Sequence, residues 1–189
     1  QFTMSLPKHQ TASTGMDALS QAIESYWCIN STDESKKNAR EAIKLVMGNL
    51  ILAANNPSEE SRAAMSKAAH LAGKAINISK TTSCHAISYP LTSYFNVPHG
   101  HAVALTLGQM LAYNSGVTGQ DALDERGVDF DKKIINEIAG LIGAENPQDA
   151  SKKITSLMKE IGLSTKLSEL GIKTQEDIDI IVKIGFNPD

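Results

Sequence analysis

The chain has 189 residues, 41% hydrophobic and 21% charged, with a net charge of −3. That length suits one domain with a sizeable core, and the scattered Lys and Arg leave no basic stripe for nucleic acid. No stretch reads as a signal peptide or a membrane span, and two cysteines, Cys28 and Cys84, are too few for a disulfide framework and suit the cytoplasm.

The chain opens at Gln1 without an initiator Met, and Phe2-Thr3-Met4-Ser5-Leu6-Pro7 alternates as though entering from an upstream element. At the other end Gly185-Phe186-Asn187-Pro188-Asp189 is turn-like. A piece of a longer protein is the expectation.

Helical periodicity dominates and strand-like alternation is nearly absent, so the expected fold class is all-α, a helical bundle. Ser13 or Thr14 can cap a first helix in which Met16, Leu19, Ile23 and Trp27 form one apolar stripe, with Asp17 and Gln21 off it. Ser31 and Glu34 have capping-box spacing for a second helix carrying Ala39, Ile43, Val46 and Leu50 inward and ending near Asn55-Asn56. Pro57 suits the first position of a third, with Glu59 and Glu60 in its first turn. Its alanines from Ala63 to Ala75 imply close contact with a neighbour. Gly100 to Tyr113 is apolar around most of its circumference and is the expected central helix. Beyond a glycine-punctuated stretch, Phe130, Ile134, Ile138 and Ile142 mark another helix that Gly143 can end. Pro147 to Ile161 form the next, and Thr174 with Asp177 start the last.

Two segments carry chemistry. Asp17 and Gln21, four residues apart, share a helix face with Cβ atoms about 5–6 Å apart, so they can converge on one ion or simply bond to each other. His85 and His99 lie in a rigid, mostly apolar region, and Pro98 and Gly100 fix the backbone around His99 at a helix start. A carboxylate, an amide and two imidazoles suit Fe²⁺ or Zn²⁺. His101 is expected to line the pocket without ligating.

The run Thr11-Ala12-Ser13-Thr14-Gly15-Met16-Asp17-Ala18-Leu19, followed by His85-Ala86-Ile87-Ser88-Tyr89-Pro90-Leu91 and Val97-Pro98-His99-Gly100, resembles the helical C-terminal domain of the iron-containing alcohol dehydrogenases over nearly the whole chain. Gln21, Lys80-Thr81-Thr82 and Pro98-His99-Gly100-His101 look most like the phosphonoacetaldehyde reductase branch of that family. The resemblance implies the all-α half of the dehydroquinate synthase-like architecture, residues 1–189 forming a metal-binding domain without its N-terminal nucleotide-binding partner. It also places the metal ligands on Asp17, Gln21, His85 and His99, Gln21 standing where the family usually has His. Tyr89 falls where the family has a His near the nicotinamide, and its phenol, with His101, would assist proton transfer. Lys80, Thr81 and Thr82 replace a glycine-rich stretch and would hold an anionic end of the substrate, such as a phosphonate.

The implied activity is NAD(P)H-linked reduction of a small-molecule aldehyde, or the reverse oxidation of an alcohol, with Fe²⁺ or Zn²⁺ as Lewis acid and the cofactor bound mainly by the absent domain. This piece alone should be inactive. No nucleic acid or membrane partner is expected, and a homo-oligomer is. Two other classes fit the same architecture: a metal-dependent lyase or cyclase of dehydroquinate synthase type, and a helical interaction module without catalysis.

Overall fold

The computed structural model describes residues 3–186; Gln1-Phe2 of the alternating opening and Asn187-Pro188-Asp189 of the turn-like end lie outside the described residues. In chain order the helices are α1 (Lys8–Trp27), α2 (Asp33–Asn55), α3 (Glu59–Ser79), α4 (Ser83–Phe95), α5 (His99–Asn114), α6 (Val128–Leu141), α7 (Pro147–Glu160) and α8 (Gln175–Gly185). A short 3-10 helix, Leu167–Leu170, precedes α8, and there is no strand among the described residues.

Several helix starts differ from the expected ones, each for a local reason. α1 begins after Pro7 rather than at Ser13 or Thr14. The hydroxyls of Thr11 and Thr14 turn back to the carbonyls of Pro7 and Gln10, four residues earlier, and so sit inside the helix without competing with it. The cap of α2 is Thr32 with Ser35, not Ser31 with Glu34, and that of α3 is Ser58 with Ser61, which leaves Pro57 outside the helix. In both, the extended cap residue accepts from the backbone three residues on, and the serine there reaches back. α7 and α8 start at the expected residues, with Asn146 and Thr174 as caps. α4 has no clear periodic signal because Pro90 lies inside it, where it removes one ladder hydrogen bond.

Two cores follow. The larger joins α1, α2, α3, α5, α6 and α7 around Met16, Leu19, Ile43, Leu50, Leu107 and Ile138; the smaller joins α4, α5, the 3-10 helix and α8 around Ile87, Leu91, Ile172 and Ile181. Each large aliphatic side chain buried here contributes about 1.5–3 kcal/mol. α5 is the wall between the two, but it is not the most central helix. α1 buries thirteen of its twenty residues against eight of sixteen for α5, because it packs on α2, α3, α5 and α6 at once.

The crossing of α1 and α5 is unusually close. A Cβ at Gly100 would stand 2.1 Å from the Ser13 carbonyl oxygen and 2.8 Å from the Asp17 Cβ, so only glycine fits. Ser13 also accepts the His101 backbone N–H at 3.1 Å, supplying from α1 the cap that Pro98 cannot give α5. Gly100→Ala should therefore cost about 2 kcal/mol or more in thermal unfolding. Gly48→Ala, with nothing within 4 Å, should add about 0.5–1 kcal/mol. Equal melting of Gly100→Ala and wild type would contradict the close crossing.

Candidate metal centre

Asp17, Gln21 and Glu24 stand at i, i+4 and i+7 on α1 and share one face. The Asp17 Oδ2 accepts a hydrogen bond from Gln21 Nε2 at 3.2 Å, so the two side chains do bond to each other. That bond turns Oδ1 toward two imidazoles brought in by other helices. His85 Nε2, from α4, lies 3.5 Å from Oδ1, and His99 Nε2, from the start of α5, lies 3.8 Å from it. One donor atom from each of Asp17, His85 and His99 falls within 4.8 Å of the other two.

Both rings are oriented from behind. His85 Nδ1 is bonded to Glu24 Oε2, which leaves Nε2 to face Asp17. His99 Nδ1 is 3.3 Å from Ser88 Oγ, whose own proton goes to the His85 carbonyl at 2.6 Å. Ser88 therefore accepts from the Nδ1–H of His99, and the Nε2 lone pair points into the cluster. This is the arrangement in which a histidine ligand is fixed through its second nitrogen.

The donor set fits a divalent cation. Asp17 Oδ1 and His85 Nε2 are buried and, among the described residues, without a hydrogen-bond partner, an expensive state for two polar atoms that face each other. Burial opposes charge on His85, but hydrogen bonds and attraction from Asp17 and Glu24 outweigh it and push its pKa up to about 9. The pocket thus favours positive charge at Nε2, whether a proton or a metal.

Glu24 is the residue that sequence reasoning missed. Its carboxylate is fully buried, and its Oε1 accepts from Thr82 N at 3.1 Å, Thr82 Oγ1 at 2.6 Å and Cys84 N at 2.9 Å. These donors are the start of α4, where negative charge also favours the helix dipole. Its position seven residues after Asp17, on a buried helix, was the available signal.

The remaining predicted residues divide. Tyr89 is exposed, and its ring stacks near that of His99, centroids 6.3 Å apart and planes 20° from parallel. Lys80 is exposed and Thr81 half-buried. Thr82 is not free for a substrate, because its hydroxyl donates to Glu24 and accepts from Trp27 Nε1 at 2.8 Å. His101 is likewise outside the three-donor cluster. Its ring is buried beside His9, with Nε2 2.7 Å from the Ser164 carbonyl, and burial lowers its pKa. A cleft of about 390 Å³ borders the cluster, lined by His9, Gln10, Thr14, Asp17, Pro98 and His99.

Residues 11–189 match the C-terminal domain of the Fe-containing alcohol dehydrogenase family. Over 150 residues, 79% of this chain and 38% of the relative, the chain is 37% identical to a phosphonoacetaldehyde reductase of Streptomyces viridochromogenes. It is 33% identical to a 1,3-propanediol dehydrogenase of Klebsiella pneumoniae over 168 residues, 88% of this chain and 42% of the relative. Among solved structures, a sulfoacetaldehyde reductase of Bifidobacterium kashiwanohense in complex with NAD⁺ superposes with a TM-score of 0.84 at 38% identity, over 98% of this chain and 46% of that one. The chain thus spans less than half the length of these relatives.

Replacing Glu24 by Gln places an amide N–H₂ against at least one donor among Thr82, Cys84 and His85, and loosens the His85 ring. Glu24→Gln should weaken uptake of Zn²⁺ by about 10–100-fold in an equilibrium titration. Unchanged affinity would deprive Glu24 of its orienting role.

Proposed function

The chain belongs to the Fe-containing alcohol dehydrogenase family, and on that footing we propose that it is the helical, metal-binding half of an NAD(P)-linked dehydrogenase that interconverts a small aldehyde and its alcohol. The observation that carries this reading is the convergence of Asp17, His85 and His99, with two buried polar atoms that nothing else among the described residues satisfies. In it Asp17, His85 and His99 hold a divalent ion, Fe²⁺ or Zn²⁺, through one carboxylate oxygen and two Nε2 atoms. Gln21 keeps Asp17 Oδ2 engaged and has an amide oxygen left for a fourth position.

When bound, the metal supplies a Lewis acid for a carbonyl or hydroxyl oxygen and the nicotinamide supplies or accepts the hydride. The chain's own residues do the rest. Glu24 and Ser88 hold the two rings so that their Nε2 atoms face inward. Tyr89, stacked by His99 and open to solvent, is the group placed to pass a proton at its phenol oxygen. His101 is left out of this relay because Ser164 holds its Nε2. The dinucleotide is assigned to an N-terminal domain outside the chain, in keeping with relatives more than twice as long. The two aldehyde reductases among them act on aldehydes that carry a phosphonate or a sulfonate, which supports a small anionic aldehyde as substrate. No helix among the described residues is long and apolar enough to cross a membrane, and both cysteines are free thiols in the interior, which supports a cytoplasmic site of action.

The full-length enzyme should lose aldehyde reduction on removal of its metal by a chelator and recover it with Fe²⁺ or Zn²⁺. Asp17→Ala and His99→Ala should each lower kcat/KM by about 100-fold or more, since the lost Lewis acid is worth several kcal/mol. Full activity in metal-free protein would overturn the reading.

A further inference from the structure

A buried guanidinium lies on the far side of α1 from the metal centre. Arg62, the fourth residue of α3, is only 4% exposed, and its charge is permanent because a guanidinium keeps its proton at any ordinary pH. Nη1 donates to Thr11 Oγ1 and Nη2 to the Leu6 carbonyl at 3.0 Å, while Nε has no partner among the described residues. No carboxylate among those residues comes within 4.0 Å of it. Buried charges are paired or hold a ligand, since an unpaired ion in the interior is a costly state for any side chain. The counter-charge of Arg62 therefore comes from elsewhere.

Two clefts open against this residue, and Thr3, Arg62 and Ser66 line both. The narrower, about 170 Å³, runs between α1 and α3 and is walled by Leu6, Gly15, Ala18, Met65 and Ala69. The wider, about 520 Å³, lies against the segment that enters α1, with Met4, Glu59 and Ala63 along it. Glu59 is exposed and screened by solvent, so the potential where the clefts meet is set by Arg62 and by the positive end of the α3 dipole.

The place is separate from the three-donor cluster. A Cβ at Gly15 would meet Leu50 of α2 and Met65 of α3, whereas Asp17, two residues on, faces the histidines of α4 and α5.

We propose that the junction of the two clefts is a second ligand site, which takes a small carboxylate with a short apolar tail. The carboxylate sits against Arg62 in a charge-assisted pair and supplies the missing counter-charge. The tail enters the narrower cleft. A cavity of about 150 Å³ holds one benzene, so this cleft has room for a tail of about five or six carbons. A bare phosphate would match the charge but leave the walls formed by Leu6, Ala18 and Met65 uncovered.

The test is calorimetric titration of the full-length protein with hexanoate, acetate and hexanamide. Hexanoate should bind at one site per chain. Acetate, which lacks the tail, and hexanamide, which lacks the charge, should each bind about tenfold more weakly or worse. Arg62→Met should weaken hexanoate by about tenfold and leave hexanamide where it was. Ala69→Leu, at an exposed helix position, should keep the fold and obstruct the tail, lowering hexanoate affinity by a similar factor with acetate unmoved. Should Arg62→Met not fold, the Ala69→Leu titration decides alone. Hexanoate that does not bind, or binds with an affinity that Ala69→Leu leaves unchanged, would overturn the proposal. So would hexanamide or acetate binding as tightly as hexanoate, which would reduce the site to an apolar cleft or to a simple anion site.

Discussion

The site depends on one buried charge. A carboxylate with no exposed surface, such as Glu24, is tolerable only when its lone pairs are filled, since an unpaired ion in the interior costs several kcal/mol. The donors that fill them all come from Thr82 to His85, so satisfying Glu24 means docking the start of α4 onto α1 in a single register. In that register His85 cannot avoid facing Asp17. The same interaction orients the ring, caps the helix and sets the turn that holds Lys80.

Viewed along α1, the logic extends to a stripe of polar residues, Ser13, Asp17, Gln21 and Glu24, on a helix otherwise dominated by core contacts. Ser13 caps α5 and, with Gly100, lets that helix approach closely enough to bring His99 to the cluster. Gln21 holds the outer oxygen of Asp17, and Glu24 holds α4. One helix thus serves as the template on which two others deliver their imidazoles. Metal donors arranged by buried, mutually satisfied partners are the kind that stay put, because each rotamer is fixed by something other than the ion.

Much of this was legible in the sequence, and what was not has physical causes. The helices follow from local signals, α1, α2, α6, α7 and α8 from their apolar stripes, α3 from its acidic first turn and alanines, and α5 from its all-round apolar surface, and Gly143 ends α6 with a φ of +79° as expected. Starts slipped where several hydroxyl residues compete, as at Ser31-Thr32 and Ser58, because spacing does not say which one takes the extended conformation. α4 stayed hidden behind Pro90, whose cost is met by tertiary packing on α5 and α8. Asp17, His85 and His99 could be found from type and spacing, and they do converge. Glu24 could not be assigned a role, because a carboxylate on a core face is informative only once its donors are known, and those lie some sixty residues away. The partners of Thr82 and His101 were hidden for the same reason: Glu24, Trp27 and Ser164 claim their polar atoms from segments far along the chain.

The most direct test of the account is anomalous diffraction at the iron or zinc edge from crystals of the full-length protein grown with that metal. The account predicts a single strong peak about 2.0–2.2 Å from His85 Nε2, His99 Nε2 and an Asp17 oxygen. Crystals that show those three side chains without a peak between them, or the ion held elsewhere, would contradict it.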